Sequence, residues 1–329
     1  SLPYLKKGQW TDLTSDLQSY VAMPKLLKEK KVKEINSGES IRTTILGPDD
    51  DAAEFVGLAH EKTYTASDDL AYGTVEWRHA TTQYSIDRRI PQMNSGAEKI
   101  VELLATYRHK AFVGLAKLLE TAFWGTPTTS SDKLTPYGIK TYIVRNSSQG
   151  FNGGNPSGFS SGVVFDSTVQ TRWKNWTDQY TAITKDDLVT RLRIATRNTH
   201  FQAPVEAKEA LKIADKRAIY TNQDVLDELE LLLEQQNENL GMDVAKTMNE
   251  VVFRKIPVMW VPQLDSDTQD PVYGINWQTL YPCFLKGETF VESKPRYLDT
   301  QPTVMAVDVD LSYNLVCDDR RSHFVVNKA

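Results

Sequence analysis

Over residues 1–38 the apolar positions come in short clusters that never add up to a face. Leu13, Leu17, Tyr20 and Val21 fall at helical spacing until Pro24 interrupts them. Lys25, Lys28, Lys30, Lys31 and Lys33 then crowd the stretch up to Ile35, and Gly38 closes it. So few apolar residues make no core, and the pattern predicts an arm that folds only against another surface. From residue 40 to 91 the period changes to two. Ile41 to Leu46 is a β-branched run ended by Gly47 and Pro48, and Val75, Trp77, Tyr84 and Ile86 alternate with polar neighbours. The expectation is a long two-stranded excursion, which is marginal in water without a partner surface.

Residues 95–124 carry the clearest pattern. Ser95 and Glu98 form a capping box, and Ile100, Leu103, Leu104, Tyr107, Ala111, Leu115, Leu118 and Ala122 recur at steps of three and four. Gly125 and Pro127 stop the run. About 30 residues at about 1.5 Å each make a rod on the order of 45 Å, the proportions of a structural beam.

Residues 145–162, rich in Ser, Gly and Asn, read as an exposed loop. Val169, Trp173, Trp176 and Tyr180 then predict a helix over 166–180. Thr184 and Asp187 cap another, carrying Leu188, Leu192 and Ala195 and ending before Pro204. Thr221 and Asp224 start a third, with Leu226, Leu229 and Leu233 as its stripe and Gly241 as its stop. Its remaining positions include Asp224, Asp227, Glu228, Glu230, Glu234 and Glu238, with no Lys or Arg between Thr221 and Leu240, so it faces water or a basic neighbour. Residues 251–261 read as a strand pair or a bulged strand, broken or edged at Pro257, and 265–270 as an acidic loop. Met305, Val307, Val309, Leu311, Tyr313 and Leu315 alternate with polar or small residues, which predicts an antiparallel strand with one buried and one wet face.

Composition narrows the picture. The 329 residues leave room for one large or two medium domains, and 40% hydrophobic with 25% charged residues is ordinary for a folded chain. Lys and Arg total 38 against 43 Asp and Glu, a net charge of −5. That argues against a dedicated nucleic-acid binder, though not against a protein that encloses nucleic acid. Cys283 and Cys317 are too few for a disulfide framework or a zinc module and fit a reducing compartment. No apolar run approaches the roughly 18 residues of a membrane helix, and residues 1–7 lack a signal-peptide pattern.

The search for chemistry yields little. Gly158-Phe-Ser160-Ser-Gly162 matches the nucleophile-elbow pattern, yet that chemistry needs a strand entering and a helix leaving, and the preceding Gly153-Gly-Asn-Pro-Ser157 is loop. His60, His79, His109, His200 and His323 form no metal-binding spacing, and no phosphate-binding glycine motif occurs. No catalytic, cofactor or metal residue is assigned. Trp173, Trp176 and Tyr180 read as core before they read as a base-stacking platform. Nearby Arg172, Lys174, Arg191, Arg193 and Arg197 read as a solvated face with intramolecular partners before they read as phosphate contacts. Lys25, Lys28, Lys30, Lys31 and Lys33 are candidate contacts to DNA or a partner protein, or equally a soluble helix face.

What remains is architecture without chemistry, in elements too poor in apolar surface to stand alone. In that order, and in particular stretches, the chain resembles the major capsid protein of tailed bacteriophages, with its Hong Kong 97-type fold. The stretches are Thr171-Arg-Trp-Lys-Asn-Trp176, Phe253-Arg-Lys-Ile-Pro-Val-Met-Trp-Val-Pro262, Pro271-Val-Tyr-Gly-Ile-Asn-Trp277 and Val307-Asp-Val-Asp-Leu-Ser-Tyr-Asn-Leu315. The resemblance implies an α+β fold divided into an N-terminal arm (1–39), an extended β-loop (40–94), a peripheral domain with a spine helix (95–135 and 282–329) and an axial domain (136–281). It also implies a non-enzymatic subunit that assembles with identical copies into the pentamers and hexamers of an icosahedral head. Such a head encloses double-stranded DNA without sequence specificity, in a virion put together in the bacterial host cytoplasm. Scaffolding, portal and decoration proteins are further partners the resemblance allows; a membrane is not. Lys62 is available for the isopeptide crosslink of some members, and Ser1 is compatible with maturation cleavage or with loss of an initiator Met. The rival readings are an encapsulin-like nanocompartment storing enzyme cargo, a serine hydrolase using Ser160, and a monomeric nucleic-acid module.

Overall fold

Strand-like alternation and helical spacing interleave along the chain, so each sheet is built from strands far apart in sequence. The computed structural model describes residues 33–36, 38–46, 55, 70–90, 97–199, 217–237, 251–254 and 256–329. Strands β1 (Lys33–Ile35), β2 (Ser40–Leu46), β3 (Leu70–Glu76) and β4 (Arg78–Asp87) precede the long helix α1 (Ala97–Phe123) and a single turn α2 (Ile139–Tyr142). There follow β5 (Gly150–Gly153), β6 (Asn175–Tyr180), α3 (Leu188–Thr199), β7 (Arg217–Thr221), α4 (Gln223–Asn237), β8 (Val251–Phe253), β9 (Ile256–Trp260) and β10 (Val272–Asn276). The chain closes with β11 (Leu280–Leu285), β12 (Val291–Glu292), β13 (Arg296–Leu298), β14 (Gln301–Cys317) and β15 (Phe324–Lys328).

Among the described residues these strands form a six-stranded sheet, a seven-stranded sheet and a two-stranded ribbon. The 17-residue β14 is the axis of the first. Strand β4 runs antiparallel along it from Val304 opposite Asp87 to Tyr313 opposite Arg78, while β11, β12 and β13 also pair with it and β1 adds in parallel to β11. The excursion expected over 40–91 is therefore three strands. Only β2 and β3 pair with each other, and β4 joins the sheet. The second sheet runs β5-β6-β15-β10-β7-β9-β8, with the final strand β15 between β6 and β10.

The expected one-sided burial of β14 holds up to Asp310, except at the buried Ala306, and then fails. From Leu311 to Cys317 every residue is buried, because the ribbon covers the second face. Ile41 and Val75 pack there on Cys283 and Val316. Two polar side chains on that face have partners: Ser312 Oγ lies 2.8 Å from His79 Nδ1, and Asn314 accepts from the Tyr137 N–H at 2.9 Å and donates to the Glu76 carbonyl at 2.7 Å.

Helix α1 lies on the other face. Its buried row is Ala111, Leu115, Leu119 and Phe123, against Val307, Val309, Leu311 and Tyr313. Steps of four make this row wind around the helix, so Leu119 is buried and the expected Leu118 is 53% exposed. The winding ends on the second sheet: Phe123 stacks on Trp277 at 5.7 Å, and Trp124 meets Tyr220 edge-on at 5.3 Å. Ser95, half of the expected capping box, lies outside the described residues.

The helix expected over 166–180 is replaced by turns and then strand β6. On one face of this strand Trp176 and Tyr180 share a core with Leu188, Leu192 and Ala195 of α3 and Val225 and Leu229 of α4. On the other, Asn175 and Thr177 are tied to Val144 and Ser148. Its polar residues are buried with partners: Asn175 donates to the Val144 carbonyl (3.0 Å), Thr177 to the Ser148 carbonyl (2.8 Å), and Asp178 accepts from Arg191 (2.6 Å). Helix α3 starts as expected, with Thr184 Oγ1 accepting from the Asp187 N–H at 3.2 Å. Helix α4 is capped instead by Asn222, whose side chain accepts from the Val225 N–H at 3.2 Å, while Thr221 ends β7. Val225 and Leu229 are its buried contacts. Gly241 lies outside the described residues. Residues 251–260 form the expected strand pair, with Pro257 opposite Val252 in a strand pairing at the sheet's end.

Candidate assembly surfaces and the joint between the sheets

Of the arm lysines, Lys25, Lys28, Lys30 and Lys31 lie outside the described residues, as does Lys62. Lys33 is exposed on β1, with its Nζ 5.6 Å from the centre of the Tyr281 ring. Downstream of it, the outer face of the ribbon presents Leu70 and Tyr72, 47% and 67% exposed. The inner face is fixed. A Cβ on Gly73 would stand 2.2 Å from a Val164 methyl, so only glycine lets the ribbon lie this close. Val164 itself sits at φ 69°, an uncommon angle for a β-branched residue, held at the point where the ribbon bears on it.

The carboxylates of α4 point outward, with Asp224, Asp227, Glu228 and Glu230 all exposed. Trp173, Trp176 and Tyr180 are buried, which removes them as a base-stacking platform. Arg191 is engaged by Asp178 and Asp187, the intramolecular pairing expected of that basic group. Residues 158–162 run through turns with no helix leaving, so Ser160 lacks the elbow that would strain and expose it. Burial pushes the Cys283 thiol up to about 12 and Cys317 well above its usual range, so neither is a thiolate nucleophile. Among the described residues no cluster of His, Cys, Asp or Glu is arranged to hold a metal ion, and no helix is long and apolar enough to cross a membrane.

Two polar clusters tie the elements together. The first centres on Asp267. Burial raises its carboxyl, but hydrogen bonds and charge from Arg145, then Lys140 at 3.1 Å, outweigh that and hold it at about 2. Arg145 also bonds Tyr273 Oη at 2.9 Å, fastening the 265–270 loop to β10. A folded-state value below the ordinary 3.8 stabilises the fold above pH 3.8, and this is lost as pH falls through 2. Asp267→Asn is expected to cost roughly 2 kcal/mol at neutral pH, read as a lower urea midpoint, and only about 0.4 kcal/mol at pH 2. An equal loss at both pH values would contradict this.

The second cluster lies where the chain passes between the sheets. Arg320, 1% exposed, donates to the carbonyls of Tyr142 (2.6 Å), Trp173 (3.2 Å), Gly153 (3.1 Å) and Gly154 (2.8 Å). Burial holds its guanidinium down to about 10, still charged at neutral pH. Three residues on, the fully buried His323 accepts the Asn276 N–H at Nδ1 (3.1 Å) and meets Thr279 Oγ1 at Nε2 (3.0 Å). Sequence reasoning missed both residues. They sit in Asp318-Asp319-Arg320-Arg321-Ser322-His323, a run that reads as surface loop.

No protein-family model matches the chain, and no curated relative matches it. Solved structures do. The cyanophage A-1(L) capsid asymmetric unit is 12% identical, with 94% of this chain and 94% of that chain covered at a TM-score of 0.62. The capsid of a native GTA particle is 13% identical, with 99% and 94% covered at 0.59. Mycobacterium phage Ogopogo is 10% identical, with 99% and 97% covered at 0.54. The chain has the Hong Kong 97-type capsid fold. The likeness runs nearly the length of both partners at identities of 10–13%, and is one of fold. The fold is α+β, as the resemblance implies.

Proposed function

We propose that this chain is the major shell subunit of a tailed double-stranded DNA bacteriophage, assembling with identical copies into the pentamers and hexamers of an icosahedral head. The observation that carries this is end-to-end likeness to capsid subunits, 94% of each chain in the cyanophage case, with no large part of the chain left over for another task. Packing supports it. The exposed Leu70 and Tyr72 and the acidic outer face of α4 are the kinds of surface that many modest contacts between copies would use. No observation favours an enzyme-storing compartment, and the matched structures named above come from phage and GTA particles.

In this reading residues 1–39 are the arm, 40–94 the extended loop, 95–135 and 282–329 the peripheral domain and 136–281 the axial domain. Strand β4 goes with the peripheral sheet and β15 with the axial one, following their ladders. The subunit performs no catalysis, resides in the virion and is assembled in the host cytoplasm. It encloses DNA without reading sequence; scaffolding, portal and decoration proteins are its other partners. Particles purified from infected or expressing cells are expected to sediment as megadalton assemblies holding nuclease-resistant DNA. Small DNA-free cages with bound enzyme would overturn the phage reading, and a monomer would overturn any shell. If Lys25, Lys28, Lys30, Lys31 and Lys33 contact the genome, changing all five to Glu is expected to lower packaged DNA per particle. Normal DNA content in intact particles would remove the arm from that role.

A further inference from the structure

We infer that His323 is a proton-sensitive pin in the joint between the two sheets. This rests on the joint's geometry and is independent of the shell reading. The chain crosses between the sheets at this place twice, from β10 to β11 through residues 277–279 and from β14 to β15 through residues 318–323. The crossings are tied side by side: the Asp318 N–H donates to the Thr279 carbonyl at 2.8 Å, and Ser322 Oγ lies 2.8 Å from Thr279 Oγ1. The His323 ring is wedged between them with no exposure, and its own carbonyl accepts the Trp176 N–H at 3.1 Å, which brings in β6.

The ring's hydrogen bonds require it to be neutral. Nδ1 accepts the backbone N–H of Asn276, so the hydrogen is on Nε2, which faces Thr279 Oγ1 at 3.0 Å and Cys317 Sγ at 3.7 Å. A second proton on Nδ1 would oppose the Asn276 N–H and leave that buried amide without its acceptor. The surroundings offer the cation nothing. From β14 comes the Cys317 thiol, kept neutral by burial. Arg217 of β7 and Arg320 of the turn are positive and oppose it. Asp319 is turned to the Arg321 N–H at 2.9 Å, and Asp318 accepts from Tyr281 Oη at 2.8 Å. Burial first, and then the two guanidiniums, hold the ring at about 3 against its usual 6.5.

An opened joint would return the ring to 6.5, so a depressed folded value makes closure strongest above pH 6.5 and weaker as pH falls toward 3. Through His323 alone, opening therefore rises about tenfold per pH unit below 6.5, or about 100-fold between pH 7.5 and 4.5. The Asp319 carboxyl, which burial raises, acts in the opposite sense. Released, the crossings would let the two sheets pivot while each ladder stays intact.

Hydrogen exchange of the full-length protein at pH 7.5 and 4.5, corrected for the chemical exchange rate, tests this. The Asn276 amide and those in 277–279 and 318–323 are expected to gain up to about 100-fold in opening, while the β4–β14 ladder changes less than about threefold. His323→Asn keeps an acceptor for Asn276 and cannot take the proton, so its acid response at the joint is expected to vanish. Joint and ladder opening together, or an undiminished response in His323→Asn, would overturn the inference. Long-range nitrogen–proton spectra of histidine-labelled wild type need no variant. They are expected to show Nδ1 bare and Nε2 protonated at pH 7, and the opposite tautomer would also overturn it.

Discussion

Arg320→Leu is expected to leave the chain without a cooperative melting transition at 25 °C. Removing a buried charge is sometimes neutral, because the partner charge can be removed with it or the desolvation cost is recovered. Here the partners are backbone carbonyls of Tyr142, Trp173, Gly153 and Gly154, and these stay. They lie in turns and a short edge strand, with few ladder bonds to replace what is lost. Each orphaned buried acceptor costs about 1–3 kcal/mol, so four cost about 4–12 kcal/mol, the size of the 5–15 kcal/mol margin of an ordinary domain. Lysine would not rescue the site, since its ammonium is a point charge and cannot reach acceptors spread around a planar fork. Circular dichroism on heating decides it. A melt within a few degrees of wild type would show that Arg320 is not the keystone described.

Gly138→Ala and Gly114→Ala are expected to move stability in opposite directions. At Gly138 a Cβ would stand 2.3 Å from the Gly125 carbonyl oxygen, 2.5 Å from that of Ala122 and 2.8 Å from that of Phe123. All three belong to the backbone where α1 ends, so no side chain can swing aside. The strain must be met by separating α2 from the end of α1, where Thr141 Oγ1 bonds the Gly138 N–H (3.2 Å) and Thr126 (3.0 Å). Overpacking at this severity is expected to cost about 3 kcal/mol. Gly114, in the middle of α1, has nothing within 4 Å of the added methyl, and alanine there is expected to gain about 0.5–1 kcal/mol from helix propensity alone. Urea midpoints of the two variants give the signs. A shift of the same sign in both would contradict the packing assigned to α1.

Elements whose burial is one-sided were legible in the sequence. Helices α1 and α3 and the first half of β14 each show one face to the core and one to water, which is what periodicity reports. Strand β6 was not legible, because Asn175, Thr177 and Asp178 are buried through specific hydrogen bonds and break any period. The buried row of α1 shifted from Leu118 to Leu119 because two different sheets share that helix, a fact of tertiary packing. The joint was hidden for a third reason. Arg320 and Arg321 are neighbours of the same type, yet one is buried and the other exposed, and only the path of the chain around them tells them apart. As for the arm lysines, their spacing showed charge but not what the charge meets.

Cryo-electron microscopy of particles formed by this chain decides whether it is a shell subunit. Closed shells are expected, with fivefold and sixfold capsomers filled by this subunit, the seven-stranded sheet nearest the capsomer axis and α1 further out. A concentration-independent monomer, or particles in which this chain occupies some place other than the continuous shell, would contradict it.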